Sequence, residues 1–548
     1  MGTTAIPSSG SSANAPTNYF VPANSGNDNG RPTLAAGDTP LEQSPSSSSS
    51  QSSASGSSVD KIVNTAKGVT RALGVNAFDS GAANAGLDVE PPDQGLCAGN
   101  GFVIDVVNLV LKVYTGSFKP VSSDVALAAL VGFPIEQQFG VSPVGGGYIL
   151  SDPRCLYDAG TGHWFLSFLY LGGPGVFSTG GPFPLHDFAY EIVLASRTSS
   201  PLGGFNVYRI DVSRDPSPKQ CPCFGDQPLL GADAFSLIIS TNAFPIFGPG
   251  FYGSQVYLFD KFGMALGLKS VNVVHFDIGQ KVNPPDGSCR ASGGLFCFYS
   301  VNPADSPTVS SYDFSHGGTA WALSSLDFIG AGDTRIAVWS FSDTSSLLSS
   351  KPTITLTLNL GQGLEFYLNL GFLVPQKAGP IPLGDVVFSN HPKAPTFGCS
   401  HQCPEGGIAS NGDGMFDTVV YAQGALWGAV STIVNEGTLS HPNFHLGAAF
   451  WVINAADGHV SLASQGYVAA KGEQLVFPSI GVGPSGNGLM VFTLTGNDYY
   501  PSTAYTVISR NSHGDGVIYV ADMGRSPQDG FTEYQCLAQN SNQNNPTC

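Results

Sequence analysis

Along most of this chain, short apolar runs alternate with polar turns, and the pattern repeats. A corner bearing Asp or Pro is followed by a hydrophobic run, a Gly- or Asn-bearing turn, and a second run that opens on an aromatic or aliphatic residue. The corners are Pro91-Pro92-Asp93-Gln94-Gly95, Ser151-Asp152-Pro153-Arg154, Gly225-Asp226-Gln227-Pro228, the stretch entering His316-Gly317-Gly318, Asn411-Gly412-Asp413-Gly414 and Phe477-Pro478-Ser479-Ile480. The runs between them, such as Phe102 to Val107, Trp164 to Leu171, Gln255 to Phe259, Arg335 to Phe341, Leu426 to Thr432 and Leu489 to Leu494, are short and β-rich, and Gly, Pro, Asn or Asp bound them. Helix and strand do not alternate as a doubly wound or barrel fold requires. A degenerate strand-turn-strand repeat predicts an all-β chain folded as a β-propeller with six recognisable blades and an incomplete seventh.

Three segments follow. Residues 1–58 are rich in Ser, Gly, Asn, Pro and Ala, cannot bury a core, and read as a disordered tail. Residues 59–88 form a lead-in. There Val59, Ile62, Val63, Ala66, Val69 and Leu73 fall at near-helical spacing, with Ser58 as N-cap and Gly74 as stop, which predicts one short helix. Residues 89–548 carry the propeller.

Composition supports this reading: of 548 residues only 11% are charged, while Gly (69), Pro (39) and Phe (35) are abundant and Met is scarce at 5. That is poor helix material and good turn and strand material. A net charge of −18, with 22 Lys and Arg spread over the chain, excludes nucleic acid and disfavours anionic membrane surfaces. No apolar run approaches a membrane span. The 10 cysteines fit an oxidising compartment. Short loops are expected for Cys289 with Cys297, Cys399 with Cys403 and Cys536 with Cys548, and two longer links among Cys97, Cys155, Cys221 and Cys223, with Cys221 and Cys223 too close to prefer each other. Met1 to Ile6 lacks a basic start and an apolar stretch, so the opening reads as that of a mature secreted chain. A soluble monomer is the expected state.

Candidate chemistry concentrates at the corners. The first strand of a propeller blade lines the central channel, so Asp93, Asp152, Asp226 and Asp413 can meet in a ring that binds a hard cation or polarises a hydroxylated substrate. The competing role is turn capping through their own backbone. Asp93, Asp226 and Asp413 are the candidate calcium ligands, and Asp93, Asp152, Arg154, Asp226, His316 and Asp413 the candidate ligand-binding set. Asn411-Gly412-Asp413-Gly414-Met415-Phe416-Asp417 resembles part of a calcium loop, with Met415 where a ligand would stand. His391 with His401 between Cys399 and Cys403 could hold a soft metal, but a disulfide is the expected arrangement. The two Gly-x-Gly-x-x-Gly stretches, Gly248 to Gly253 and Gly481 to Gly486, open no helix and cradle no phosphate. No Gly-x-Ser-x-Gly elbow occurs. The five tryptophans are expected to pack between blades.

Several of these stretches resemble a known family. Pro91-Pro92-Asp93-Gln94-Gly95 with Val106-Val107-Asn108, Asp152-Pro153 followed by Tyr157-Asp158 and Gly162-His163-Trp164-Phe165, Asp226-Gln227-Pro228-Leu229-Leu230-Gly231 with Thr241-Asn242, and Phe477-Pro478-Ser479-Ile480 with Gly486-Asn487 resemble secreted bacterial β-propeller proteins, mostly uncharacterised and sialidase-like in architecture. Asp529 to Tyr534 also looks like that family, and the resemblance spans roughly Val89 to Tyr534. It implies the fold and a further blade beyond Cys548. It implies no sialidase chemistry, because the Ser-x-Asp-x-Gly-x-Thr-Trp turn is absent and nothing in the local sequence of Arg154, Arg209, Arg290 and Arg335 makes them converge. The chain therefore reads as a secreted binding module for an extracellular glycan or protein, with calcium as a possible stabiliser. The alternative is a carbohydrate-active hydrolase or lyase using paired corner carboxylates.

Overall fold

The computed structural model describes residues 3–5, 60–85, 93–135, 147–173, 188–215, 221–246, 251–278, 298–326, 332–377, 407–409, 417–510 and 516–525, with short breaks inside these ranges. Strands dominate, and they group in sequence order into six up-and-down antiparallel units of four. Blade 1 comprises Gln94–Gly99, Phe102–Val107, Val110–Thr115 and Val125–Ala126. Blade 2 comprises Gly147–Asp158, His163–Gly173, Phe188–Ser196 and Phe205–Asp211, and blade 3 Cys223–Ala232, Ser236–Pro245, Ser254–Asp260 and Val273–Asp277. Blade 4 runs through Asn302–Asp305, Thr319–Ser325, Ile336–Ser342 and Thr355–Leu360, and blade 5 through Val419–Ala422, Ala425–Asn435, Phe444–Ala456 and His459–Val468. Blade 6 is Glu473–Val482, Gly488–Gly496, Ser502–Ile508 and Val517–Asp522.

The first strand of each blade lies beside the first strand of the next, from blade 1 through blade 6, which places these strands around a common centre. The protein is a β-propeller. In blades 4 and 5 the inner strands pair directly, Ala304 with Val419 and Asp305 with Val420. The expected seventh-blade fragment lies outside the described residues.

Alternation explains the packing. On the third strand of blade 2, Ile192 and Leu194 join a core shared with blade 1, while Ala189, Val193 and Ala195 join a core shared with blade 3. Each blade is thus apolar on both faces, and all five tryptophans are buried between blades.

The corners have a common construction in blades 2, 3 and 6. Strand register slips between Ser151 and Arg154, between Asp226 and Leu229, and between Val476 and Ser479. Each slip is a β-bulge made by one residue at positive φ followed by proline: Asp152 at 56°, Gln227 at 48° and Phe477 at 56°. A left-handed residue leaves its N–H unavailable to the ladder, and an adjoining blade accepts it. Asp152 N–H donates to Asn108 Oδ1 (3.0 Å), Gln227 N–H to Asp152 Oδ2 (3.2 Å) and Phe477 N–H to Ser431 Oγ (3.3 Å). The same packing explains Gly95, since a Cβ there would stand 2.8 Å from the Pro153 carbonyl and 3.0 Å from Arg154 Cα.

The lead-in departs from the expected helix. Lys61–Val63 is a strand, paired in parallel with Val517 to Tyr519 on the outer edge of blade 6, and the helix of this segment is Ala77–Ala83, capped by Asn76. An isolated amphipathic turn has no core of its own here, whereas the blade edge offers unpaired backbone groups. The segment then crosses to blade 1. Asn64 Oδ1 accepts from Tyr499 (2.6 Å), Arg71 pairs with Asp522 (3.4 Å), the Leu73 carbonyl accepts from Tyr114 (3.3 Å), and Asp105 caps Val75 N–H (2.9 Å). Residues 60–84 therefore strap the last blade to the first. A second parallel addition, Thr3–Ala5, lies along Val207 to Arg209 of blade 2.

A chain beginning at Thr65 loses the added strand and the Asn64 contact, at about 1 kcal/mol per hydrogen bond. It is expected to melt several degrees lower and to be cut faster by protease. Unchanged melting would remove the strap from the account of ring closure.

Two disulfides join described residues. Cys97–Cys155 links the inner strands of blades 1 and 2 with 5.6 Å between Cα atoms. Cys221 bonds Cys223, contrary to expectation, because the chain folds back through Pro222 and brings the Cα atoms to 4.5 Å. Both suit an oxidising environment. Among the described residues no helix is long and apolar enough to cross a membrane. Cys289, Cys297, Cys399, Cys403, Cys536 and Cys548, with His391 and His401, lie outside the described residues.

Candidate functional site

The structure joins the first two corners. Asn108 links Asp93 and Asp152, from blades 1 and 2, by bonding to both. Burial, then the neighbouring Asp152 carboxyl, push Asp93 well above the usual carboxylate range, against smaller opposing effects of Asn108 and Arg154. Asp93 retains some exposure. The neighbouring Asp152 carboxyl disfavours a second negative charge, so Asp93 keeps its proton to higher pH than an isolated carboxyl does.

Asn108, in the turn between the second and third strands of blade 1, organises the pair. Its Nδ2 donates to Asp93 Oδ2 at 2.8 Å, and its Oδ1 accepts the Asp152 N–H at 3.0 Å. Ser151 Oγ donates to Asp152 Oδ1 (3.0 Å). Arg154 reaches across both neighbouring strands, with Nη1 donating to the Gln94 carbonyl (3.2 Å) and Nε to the Pro228 carbonyl (3.3 Å). Its guanidinium is thus held by backbone oxygens of blades 1 and 3 beside the acid pair. Half-buried Asp226 occupies the next corner, immediately before the bulge residue Gln227 whose N–H reaches Asp152. Leu96, on the inner strand of blade 1, and Phe477, at the bulge in blade 6, are 64% and 38% exposed.

Behind these corners stands Glu191, on the third strand of blade 2. It is completely buried, and among the described residues neither carboxyl oxygen has a hydrogen-bond partner. Desolvation raises it well above its ordinary value, and Asp152 and Asp226 add to the shift.

The other expected site residues do not join this group. His316 is exposed in the 3₁₀ turn Ser315–Gly317, which follows the inner strand of blade 4. The corner reading misplaced it because Asn302-Pro303-Ala304-Asp305 carries the inner strand without a Gly-rich signal. Asp413 lies outside the described residues, and among the described residues no three Asp, Glu, His or Cys side chains form a cluster able to hold a metal. Sequence reading passed over Asn108 and Glu191 as site residues. A single carboxyl in the apolar run Phe188–Ser196 was the available signal for Glu191.

At the other end of the inner strands a second buried cluster joins blades 2, 3 and 4. Lys261, fully buried, donates to Asp158 Oδ1 (2.8 Å) and to the Asp233 carbonyl, and its ammonium lies 4.5 Å from the centre of the Tyr312 ring. Asp158 also accepts from Tyr312 and from Thr161 Oγ1 (2.6 Å) and N–H (2.8 Å). Burial alone would raise Asp158, but the Lys261 charge and these donors hold it below its ordinary value. All its partners are satisfied internally, which marks this cluster as a fastening.

No family model matches the chain, and no curated protein does. Solved structures do. A bat subtype N10 neuraminidase-like protein matches over 73% of this chain and 90% of its own, at 9% identity and a TM-score of 0.30. A glycosyl hydrolase from Bacteroides ovatus matches over 67% and 87% at 10% identity and 0.29, and the polysaccharide lyase Uly1 over 82% and 97% at 7% and 0.29. At these scores none of the three bears on the site, and the propeller assignment rests on the strand pairing above.

Proposed function

We propose that the protein is a carbohydrate-active hydrolase or lyase whose acid is the Asp93–Asp152 pair. The observation that carries this reading is the Asp93 carboxyl, linked by Asn108 to the Asp152 corner beside an anchored arginine. A carboxyl group that keeps its proton toward neutral pH can deliver it to a glycosidic oxygen as the C–O bond breaks. Asp226, one corner further round, is the carboxylate placed to take a proton, from attacking water in hydrolysis or from the sugar C–H in elimination. A neutral glycan fits the surroundings. Asn108, Ser151 and Gln227 supply uncharged polar groups, Leu96 and Phe477 supply apolar contact for a sugar face, and the net charge of −18 repels polyanions.

One observation favours the second reading, a glycan-binding module without turnover. Asp93 and Asp152 act on each other as near neighbours around Asn108, whereas the paired carboxyls of glycoside hydrolases stand about 5–9.5 Å apart to leave room for water or a covalent intermediate.

The test is a panel of neutral oligosaccharides assayed for new reducing ends and for unsaturated products, alongside binding by calorimetry. Asp93→Asn and Asp152→Asn are expected to cut turnover about 100-fold or more while leaving affinity within a few-fold. Activity should fall as pH rises through the raised pKa of Asp93, because the acid form is then lost. Binding by the parent chain with no product would leave the module reading, and neither binding nor product would sink both.

A further inference from the structure

The blade 2–blade 3 core is apolar except at one level. Glu191 shares its strand face with Ala189, Val193 and Ala195, Ser167 alternates with Phe165 and Leu169, and Thr241 alternates with Leu237 and Ile239, all of which belong to that core. The three polar side chains therefore project into one interface. Register places them together near the bulges: Ser167 lies opposite Arg154, and a Cβ on Gly225, next to Asp226, would stand 2.8 Å from Thr241 Oγ1. Gln227, whose N–H reaches Asp152, closes the inner side.

Among the described residues Ser167 Oγ, Thr241 Oγ1, Gln227 Oε1 and both Glu191 oxygens are all buried without a hydrogen-bond partner. Such groups cost about 1–3 kcal/mol each when left unpaired, and native interiors hold few of them. Here they lie on neighbouring strands that face the same interface. What they share is oxygen, and what flanks them is negative charge from Asp152 and Asp226.

We propose that this pocket binds a hard divalent cation of the calcium class, ligated by the Glu191 carboxylate with Ser167 Oγ, Thr241 Oγ1 and Gln227 Oε1. Asp152 and Asp226 contribute charge from outside the ligand shell. Neutral oxygens completing a shell around a carboxylate are the usual company of calcium. The ion would fasten blade 2 to blade 3 immediately behind the corners, with no part in proton transfer. This site stands or falls independently of the catalytic reading.

The test uses the full chain stripped with EDTA and desalted, then titrated with calcium chloride by calorimetry and by thermal melting. Binding at a stoichiometry near one, with a higher melting temperature, is expected. Glu191→Gln matches the shape of the protonated acid and is expected to fold and to lose both signals. Thr241→Val removes one neutral donor and should weaken binding about tenfold. Glu473→Gln, a buried carboxyl in blade 6, should change neither. No calcium binding by the parent chain, or binding that survives Glu191→Gln undiminished, overturns the proposal. Asp93→Asn separates the two readings, since it should abolish turnover and spare the calcium response.

Discussion

Replacing Lys261 by Met is expected to destabilise the propeller by about 3–5 kcal/mol, the cost of leaving a buried charge without its partner. Lys261 and Asp158 are both wholly inaccessible to solvent, so water cannot replace the lost ammonium. The consequence reaches beyond one pair. Asp158 closes the inner strand of blade 2, Lys261 opens the helix Lys261–Ala265 of blade 3, and Tyr312 comes from the loop of blade 4. One buried ion pair thus holds three blades, and Asp158→Asn should cost a similar amount, because it leaves the Lys261 ammonium buried without a counter-charge. Replacing both residues, as Lys261→Met with Asp158→Leu, should recover much of the loss, since a matched apolar pair carries no desolvation penalty. Urea midpoints of the single and double variants measure this. A Lys261→Met loss under about 1 kcal/mol would show that solvent reaches the pair.

Stability should be greatest near pH 4 and should fall as pH rises toward 7. Burial pushes Asp305 and Glu473 up to about 7, and raises Asp93 and Glu191 well above the carboxylate range. In the unfolded chain these groups ionise near pH 4. Between pH 4 and 7 the folded state therefore holds more protons than the unfolded one, and stability declines with a slope of about 1.4 kcal/mol per pH unit for each extra proton. Asp158 acts in the opposite sense. Its lowered pKa contributes stability above the unfolded value, and that contribution is lost as pH falls through the folded pKa, which sets the acid side of the optimum. Denaturation midpoints from pH 4 to 8 in EDTA test the sign. Asp305→Asn with Glu473→Gln should flatten the decline, and a midpoint that climbs from pH 5 to 8 would refute the assignment. Added calcium should oppose the decline through Glu191.

Much of the architecture was legible in the chain. Phe102–Val107 and the other apolar runs form strands where their alternation and Gly or Asn turns place them, because a two-residue period with local turn chemistry needs no distant partner to be read. The corners were legible as positions for a related reason. Asp152-Pro153, Gln227-Pro228 and Phe477-Pro478 announce a break in the ladder. The left-handed backbone and the neighbour that accepts its N–H do not show in a linear chain, since Asn108, Asp152 and Ser431 lie 44, 75 and 46 residues from the groups they cap.

The lead-in shows the limit from the other side. Its apolar spacing is helical, yet Lys61–Val63 extends along blade 6, because an edge with open hydrogen-bonding groups outweighs a weak local preference. His316 likewise carried the right residue types at a turn on the wrong side of its strand.

By itself the sequence determined the all-β class, the repeat and the Asp-bearing corners, since composition and short-range periodicity are local properties. Only the tertiary structure decided that Asn108 joins the Asp93 and Asp152 corners, that Glu191 is buried with neither oxygen partnered, and that Lys261 serves three blades. Those outcomes depend on which strands become neighbours and on how completely they exclude water, and burial sets the energy of a charge only once the blades have closed around it.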